Sequence, residues 1–125
     1  MVFLITGKAG AGKTHYGKAL AKELKEQGVK VKVIDGDDFR KDCDNEDYTD
    51  QGRTKNLYGA AALASGYEGR GYTVIMSFIA PRRVWRDVMR KCWKKSRVIY
   101  IPGGVLWKDT TYENPTDVEL EIREN

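Results

Sequence analysis

A chain of 125 residues, 41% hydrophobic and 32% charged, is long enough to bury the core of one domain, and residues 1 to 125 read as that single domain. Its formal charge of +4, from 22 Lys and Arg against 18 Asp and Glu, does not by itself imply a nucleic-acid partner, and no apolar run approaches membrane-spanning length. The two cysteines, Cys43 and Cys92, lack metal-ligand spacing and read as free thiols; with no signal-peptide pattern, a reducing cytoplasm is expected.

Residues 1 to 6 open with a continuous apolar run, the pattern of a central strand covered on both faces. Gly7-Lys8-Ala9-Gly10-Ala11-Gly12-Lys13-Thr14 follows and fits G-x-x-x-x-G-K-[ST], the loop whose backbone N–H groups cradle the phosphates of a nucleoside triphosphate. In that reading Lys13 reaches the β- and γ-phosphates and the Thr14 hydroxyl takes a place on Mg²⁺. Strand, loop and helix in this order suit the chemistry, because the phosphates must sit on a helix N-terminus. The helix is expected from Thr14 to Gln27, stopped by Gly28, with Tyr16, Leu20 and Leu24 recurring at four-residue spacing beside Ala19 and Ala21. His15, the only histidine, and Tyr16 read as structural or surface groups.

Val29 to Ile34 reads as a second strand, ending in Asp35-Gly36-Asp37-Asp38-Phe39-Arg40. Ligands of open parallel sheets gather outside the carboxyl ends of the strands, so carboxylates placed directly after a strand point toward the side of the phosphate loop. The plain alternative is an acidic turn bent at Gly36. Residues 41 to 52 are polar, acidic and without periodicity, and read as a loop. A helix is expected from Arg53 to about Glu68, with Leu57, Ala60, Ala61 and Ala64 forming a small-residue face that lies close to the sheet.

Tyr72 to Ile79 is the third expected strand, and Ala80-Pro81 suits the start of a basic helix from Arg82 to about Lys95. Its buried stripe is expected to be Val84, Val88 and Cys92 with Trp85 and Met89, surrounded by Arg82, Arg83, Arg86, Arg90, Lys91, Lys94 and Lys95. Arg97 to Ile101 is a fourth short strand, and Val118 to Ile122 a short extended or frayed piece. Residues 82 to 97 carry eight basic side chains and one acidic, whereas 109 to 125 carry six acidic and one basic, so a positive element should lie between acidic stretches. The β-α alternation makes a three-layer α/β fold, with a small, mostly parallel sheet and helices on both faces.

Three segments in order, the phosphate loop, Asp35-Gly36-Asp37-Asp38-Phe39-Arg40 and Ser77-Phe78-Ile79-Ala80-Pro81-Arg82-Arg83, resemble those of adenylylsulfate kinases. That family pairs a phosphate loop with D-G-D-N-x-R, S-F-I-S-P-x-R and D-R-x-E-N-I-R-R motifs, the last matched in part by Gly52-Arg53-Thr54-Lys55-Asn56-Leu57-Tyr58-Gly59. Tyr112-Glu113-Asn114-Pro115 is similar to its Y-E-x-P ending. The resemblance implies a phosphate-loop kinase that uses ATP and Mg²⁺ to phosphorylate the 3′-hydroxyl of adenylylsulfate or a related nucleotide. It implies Asp37 as the group that orients or deprotonates the acceptor hydroxyl, and Asp35 with Thr14 at the magnesium. Arg40, Arg53, Asn56 and Arg83 would bind the acceptor, with Ser77, Phe78 and Ile79 beside them.

The chain departs from that pattern at Tyr58 and Gly59, which stand where the family has an arginine pair, at Ala80 for serine and at Asp38 for asparagine. The family's segment after the fourth strand, with its R-D-P-K-G-L-Y lid, is absent, and Ile101-Pro102-Gly103-Gly104 runs almost directly to the tail. Lys108 and the Arg82 to Arg90 cluster are candidates to replace the lid's cations. Two other readings stay open. A hydroxyl on a nucleic acid could be the acceptor, gripped by the Arg82 to Arg97 basic segment with Trp85, Trp93 and Trp107 for stacking, although a solvated face with core tryptophans is the preferred reading of that helix. The chain could also be a nucleotide-binding module without catalysis. No membrane partner is expected, and a second copy of the chain is a candidate partner.

Overall fold

The computed structural model describes residues 1–106 and 111–125; Trp107 and Lys108, named above, lie outside them. Four parallel strands, β1 (Val2–Thr6), β2 (Val31–Asp35), β3 (Thr73–Ser77) and β4 (Lys95–Tyr100), and the short antiparallel β5 (Arg123–Glu124) form one sheet in the order β2-β3-β1-β4-β5. The apolar first strand is therefore central, as a run buried on both faces requires.

The pleat of β1 sends Val2 and Leu4 to one side and Ile5 to the other. Helix α1 (Lys13–Glu26) covers the Ile5 and Ile75 side through Ala21, with Leu20 and Leu24 packed around it. Tyr16, at the same four-residue spacing, is exposed; the close approach is made by Gly17, where an added Cβ would lie 2.8 Å from Ser77 Oγ. Helices α3 (Asp50–Gly69) and α4 (Arg83–Lys91) cover the other side, and Leu57, Ala60, Ala61 and Ala64 of α3 are all buried there. Small side chains let that helix sit close to the sheet.

Three sequence expectations are corrected. In the piece from Val118 to Ile122, residues 118–121 are turn and bend, and the strand falls at Arg123–Glu124 instead. The acidic turn after β2 is a helix, α2 (Gly36–Asp42), because the Asp35 side chain accepts from the backbone N–H of Asp37 and Asp38 while Asp37 and Asp38 fill its first turn. The buried stripe of α4 is Trp85, Arg86, Met89 and Arg90, not Val84, Val88 and Cys92; Val84 and Cys92 are exposed. Arg86 and Arg90 tolerate burial because the acidic C-terminal tail supplies acceptors for their guanidinium groups. Arg86 donates to Glu119 Oε1 at 2.8 Å and Glu113 O at 2.8 Å, and Arg90 to Glu119 O at 2.9 Å and Glu121 O at 3.0 Å.

The expected positive surface is thus partly consumed inside the molecule, and Trp85 and Trp93 are core residues. Cys43 and Cys92 are free thiols. Among the described residues no helix is long and apolar enough to cross a membrane.

Candidate active site

Strand register decides which loops meet. Asp35 pairs with Ser77, and Ser77 with Ile5, so β2, β3 and β1 end at one level and their following segments share one edge of the sheet. That edge is the carboxyl end of the parallel strands, where ligands of open sheets bind. A cavity of about 530 Å³ opens there.

The phosphate-loop side of the cavity is formed by Ala9, Gly10, Gly12, Lys13 and Thr14, with Gly7, Lys8 and Ala11 completing the loop around them. Gly10 and Gly12 have φ of 77° and 103°, a region that side chains disfavour. Gly7 answers a different need, since a Cβ on it would lie 2.5 Å from Ile101 O. Helix α1 starts from Gly12 with no side-chain cap, which leaves its first N–H groups available to an anion. The Lys13 ammonium donates to Lys8 O at 2.9 Å. Burial pulls its pKa below the usual lysine range, against the opposing charges of Asp37 and Asp35.

Asp35 joins the two halves. Its Oδ2 accepts from Thr14 Oγ1 at 2.8 Å, while its Oδ1 accepts from Asp37 N at 3.0 Å. A hydroxyl and a carboxylate oxygen thus meet beside the phosphate loop, and hard oxygen donors of this kind suit Mg²⁺. Asp37 also lines the cavity and is exposed.

The remaining wall contains Arg40, Arg53, Asn56, Ser77, Phe78 and Ile79. Arg40 is partly committed, since its Nη1 donates to Asn45 O at 3.2 Å and Asp47 O at 3.1 Å. Asn56 is buried, and its Oδ1 has no hydrogen-bond partner among the described residues. Arg83 does not belong to this wall. Its Nε is bound to Asn114 O at 2.9 Å, because it opens α4 against the tail rather than facing the cavity.

Seven lining residues fall outside the site expected from sequence: His15, Gly36, Tyr48, Leu57, Ala80, Pro81 and Trp85. Tyr48 lies in the aperiodic acidic loop, and Arg40 sits 4.5 Å over its ring. Its only signal was an aromatic residue amid charge. On the far side of the phosphate loop, Val105 N donates to Ala9 O at 2.9 Å, so the segment after β4 is fastened to the loop itself.

Comparison with known proteins agrees with this arrangement. The adenylylsulphate kinase family profile matches residues 1–103. A probable adenylyl-sulfate kinase of Archaeoglobus fulgidus is 33% identical over 79% of this chain, which spans 64% of that relative's length. The adenylyl-sulfate kinase of Bacillus pumilus is 33% identical across 97% of this chain and 75% of its own, in an alignment of 150 positions. Since that exceeds the 125 residues here, the relative carries residues for which this chain has none. The Mycobacterium tuberculosis APS kinase CysC, solved in complex with AMPPNP and APS, has the same fold, with a TM-score of 0.75 at 23% identity over 80% of this chain and 61% of that one.

Proposed function

The chain belongs to the adenylylsulphate kinase family, and from that premise we propose that it transfers the γ-phosphoryl group of ATP to the 3′-hydroxyl of adenylylsulfate in the cytoplasm. The observation that carries this reading is that Lys13, Thr14, Asp35 and Asp37 share one cavity with Arg40, Arg53, Asn56, Phe78 and Ile79, the residues matching the family's acceptor motifs. Phosphate binding alone does not call for Asp37 in the cavity, whatever Asp37 adds to the first turn of α2.

In the proposed reaction the acceptor oxygen attacks the γ-phosphorus, the bond to the β–γ bridging oxygen breaks, and ADP leaves. Asp37 orients the hydroxyl and takes its proton, which then passes to solvent. Lys13 exchanges its contact with Lys8 O for the β- and γ-phosphates, and the loop N–H groups hold them in place. Thr14 and Asp35 would hold magnesium, which when bound neutralises charge on the β- and γ-phosphates. The Asn56 carbonyl oxygen, buried and unpaired, is an acceptor for a donor on the nucleotide.

The test offers the purified protein γ-labelled ATP and Mg²⁺ with adenylylsulfate, and with single- and double-stranded oligonucleotides alongside. Label on adenylylsulfate is expected, with Lys13→Ala and Asp37→Asn each lowering transfer by about 10²- to 10³-fold while the circular dichroism spectrum is kept. Label only on an oligonucleotide, or near-normal activity in both variants, would sink the assignment.

A further inference from the structure

Phe78, Ile79, Ala80 and Pro81 form one wall of the cavity. Ala80 is held at φ 42°, a left-handed conformation that a residue with a side chain avoids unless its surroundings impose it. Three successive carbonyls of this wall are each satisfied by a donor tied to the tail. Thr6 Oγ1 donates to Ile79 O and lies 2.8 Å from Tyr112 Oη. Arg86 Nη1 donates to Ala80 O at 2.7 Å, while its Nη2 donates to Glu113 O at 2.8 Å and its Nε to Glu119 Oε1 at 2.8 Å. Glu113 N donates to Pro81 O at 2.8 Å, and the Glu113 side chain accepts from Arg83 N at 3.0 Å.

The direction of the first relay follows from proton counting. A threonine hydroxyl has one proton, and here it goes to Ile79 O, so the Tyr112 phenol is the donor to Thr6. Burial raises the Tyr112 pKa above its usual value, which keeps the phenol protonated at neutral pH. Thr6, Arg86, Tyr112 and Glu113 do not themselves line the cavity.

We propose that the C-terminal tail is a splint for the acceptor wall, with Tyr112 and Arg86 as positioning residues that act through Thr6 and Ala80 to fix where the acceptor nucleotide lies. Its bearing on the acceptor rests on the kinase reading above; its structural content does not. Thr6 adjoins the phosphate loop at Gly7, but its hydroxyl and the Arg86 and Glu113 donors bond the carbonyls of the acceptor wall, so loss of the splint should weaken acceptor binding and spare ATP. A tail that served only to fill the core would affect both substrates, or neither.

Tyr112→Phe keeps the ring and its stacking on Tyr100, whose centroid is 5.9 Å away, and removes only the hydroxyl. Thr6→Val keeps the shape of the relay residue and removes its hydroxyl. Each is expected to raise KM for adenylylsulfate about three- to tenfold with KM for ATP unchanged, the double variant to do no more than either single one, and amide exchange to rise in peptides covering residues 78–83 and not in those covering the phosphate loop. Unchanged exchange at 78–83 in both variants, or equal shifts in the two KM values, would overturn the splint. If the wild type phosphorylates no acceptor, the kinase reading fails, while the exchange measurement still decides whether the tail holds the wall.

Discussion

Asn56 shows what a binding site costs its protein. The side chain is buried in α3, yet its Oδ1 finds no partner among the described residues, and leaving a buried acceptor unmade costs about 1–3 kcal/mol. Next along that stripe Leu57 and Ala60 pack as core, so an apolar residue could occupy the position of Asn56. Asn56→Leu should therefore raise stability in urea by about 1 kcal/mol without nucleotide, and weaken adenylylsulfate binding by calorimetry about tenfold. A variant that is both less stable and equally good at binding would show that the orphaned oxygen has no ligand to serve. Asn56 was legible in the sequence from the family motif; that it sits unsatisfied was not, because satisfaction depends on what α3 packs against.

At the scale of elements, Glu68 ties the end of α3 to the start of β4. Its carboxylate accepts from Lys94 N at 2.7 Å and Lys95 N at 3.2 Å, and pairs with the Met1 amino group at 3.0 Å. Burial alone would raise its pKa, but these donors together outweigh burial and hold it below the usual glutamate range. A depressed folded pKa means stability that is present above the unfolded value of about 4.3 and lost as pH falls through the folded one. Glu68→Gln should thus cost about 1–2 kcal/mol in urea unfolding at pH 7, with the gap from wild type closing as pH falls below the unfolded value. A gap that stays constant with pH would mean the contact acts through shape and not charge. The order of strands and helices was readable because apolar runs and the Leu57, Ala60, Ala61, Ala64 face follow simple periods. Helix α2 was not, although a carboxylate cap with two more acids in the first turn is a helix-start signal. The inward face of α4 was hidden for another reason: Arg86 and Arg90 are core residues only because residues 113–121, distant in sequence, bring carbonyls to them.

For the whole molecule, the short path that follows β4 bears on how the proposed site would deal with water. Where the family carries a lid, this chain passes from β4 to Gly103 and Gly104, and Val105 fastens to the phosphate loop at Ala9. Gly104 lies so close that a Cβ there would be 2.5 Å from Ala9 O, so this strap is fixed to the loop and has little room to close over a substrate. A lid excludes water from the transferring phosphoryl group, and Arg86 and Arg90 of α4 are no substitute while they are bound to the tail. Under the proposed function, ATP hydrolysis without acceptor, relative to transfer with it, should exceed that of the Archaeoglobus fulgidus relative by about an order of magnitude. Phosphate release measured beside product formation gives the ratio directly. A low ratio that rises on dilution would mean that a second copy of the chain covers the site. One that is low at every protein concentration would mean that the strap and the residues around it exclude water unaided, and that a lid is not what keeps this chemistry dry.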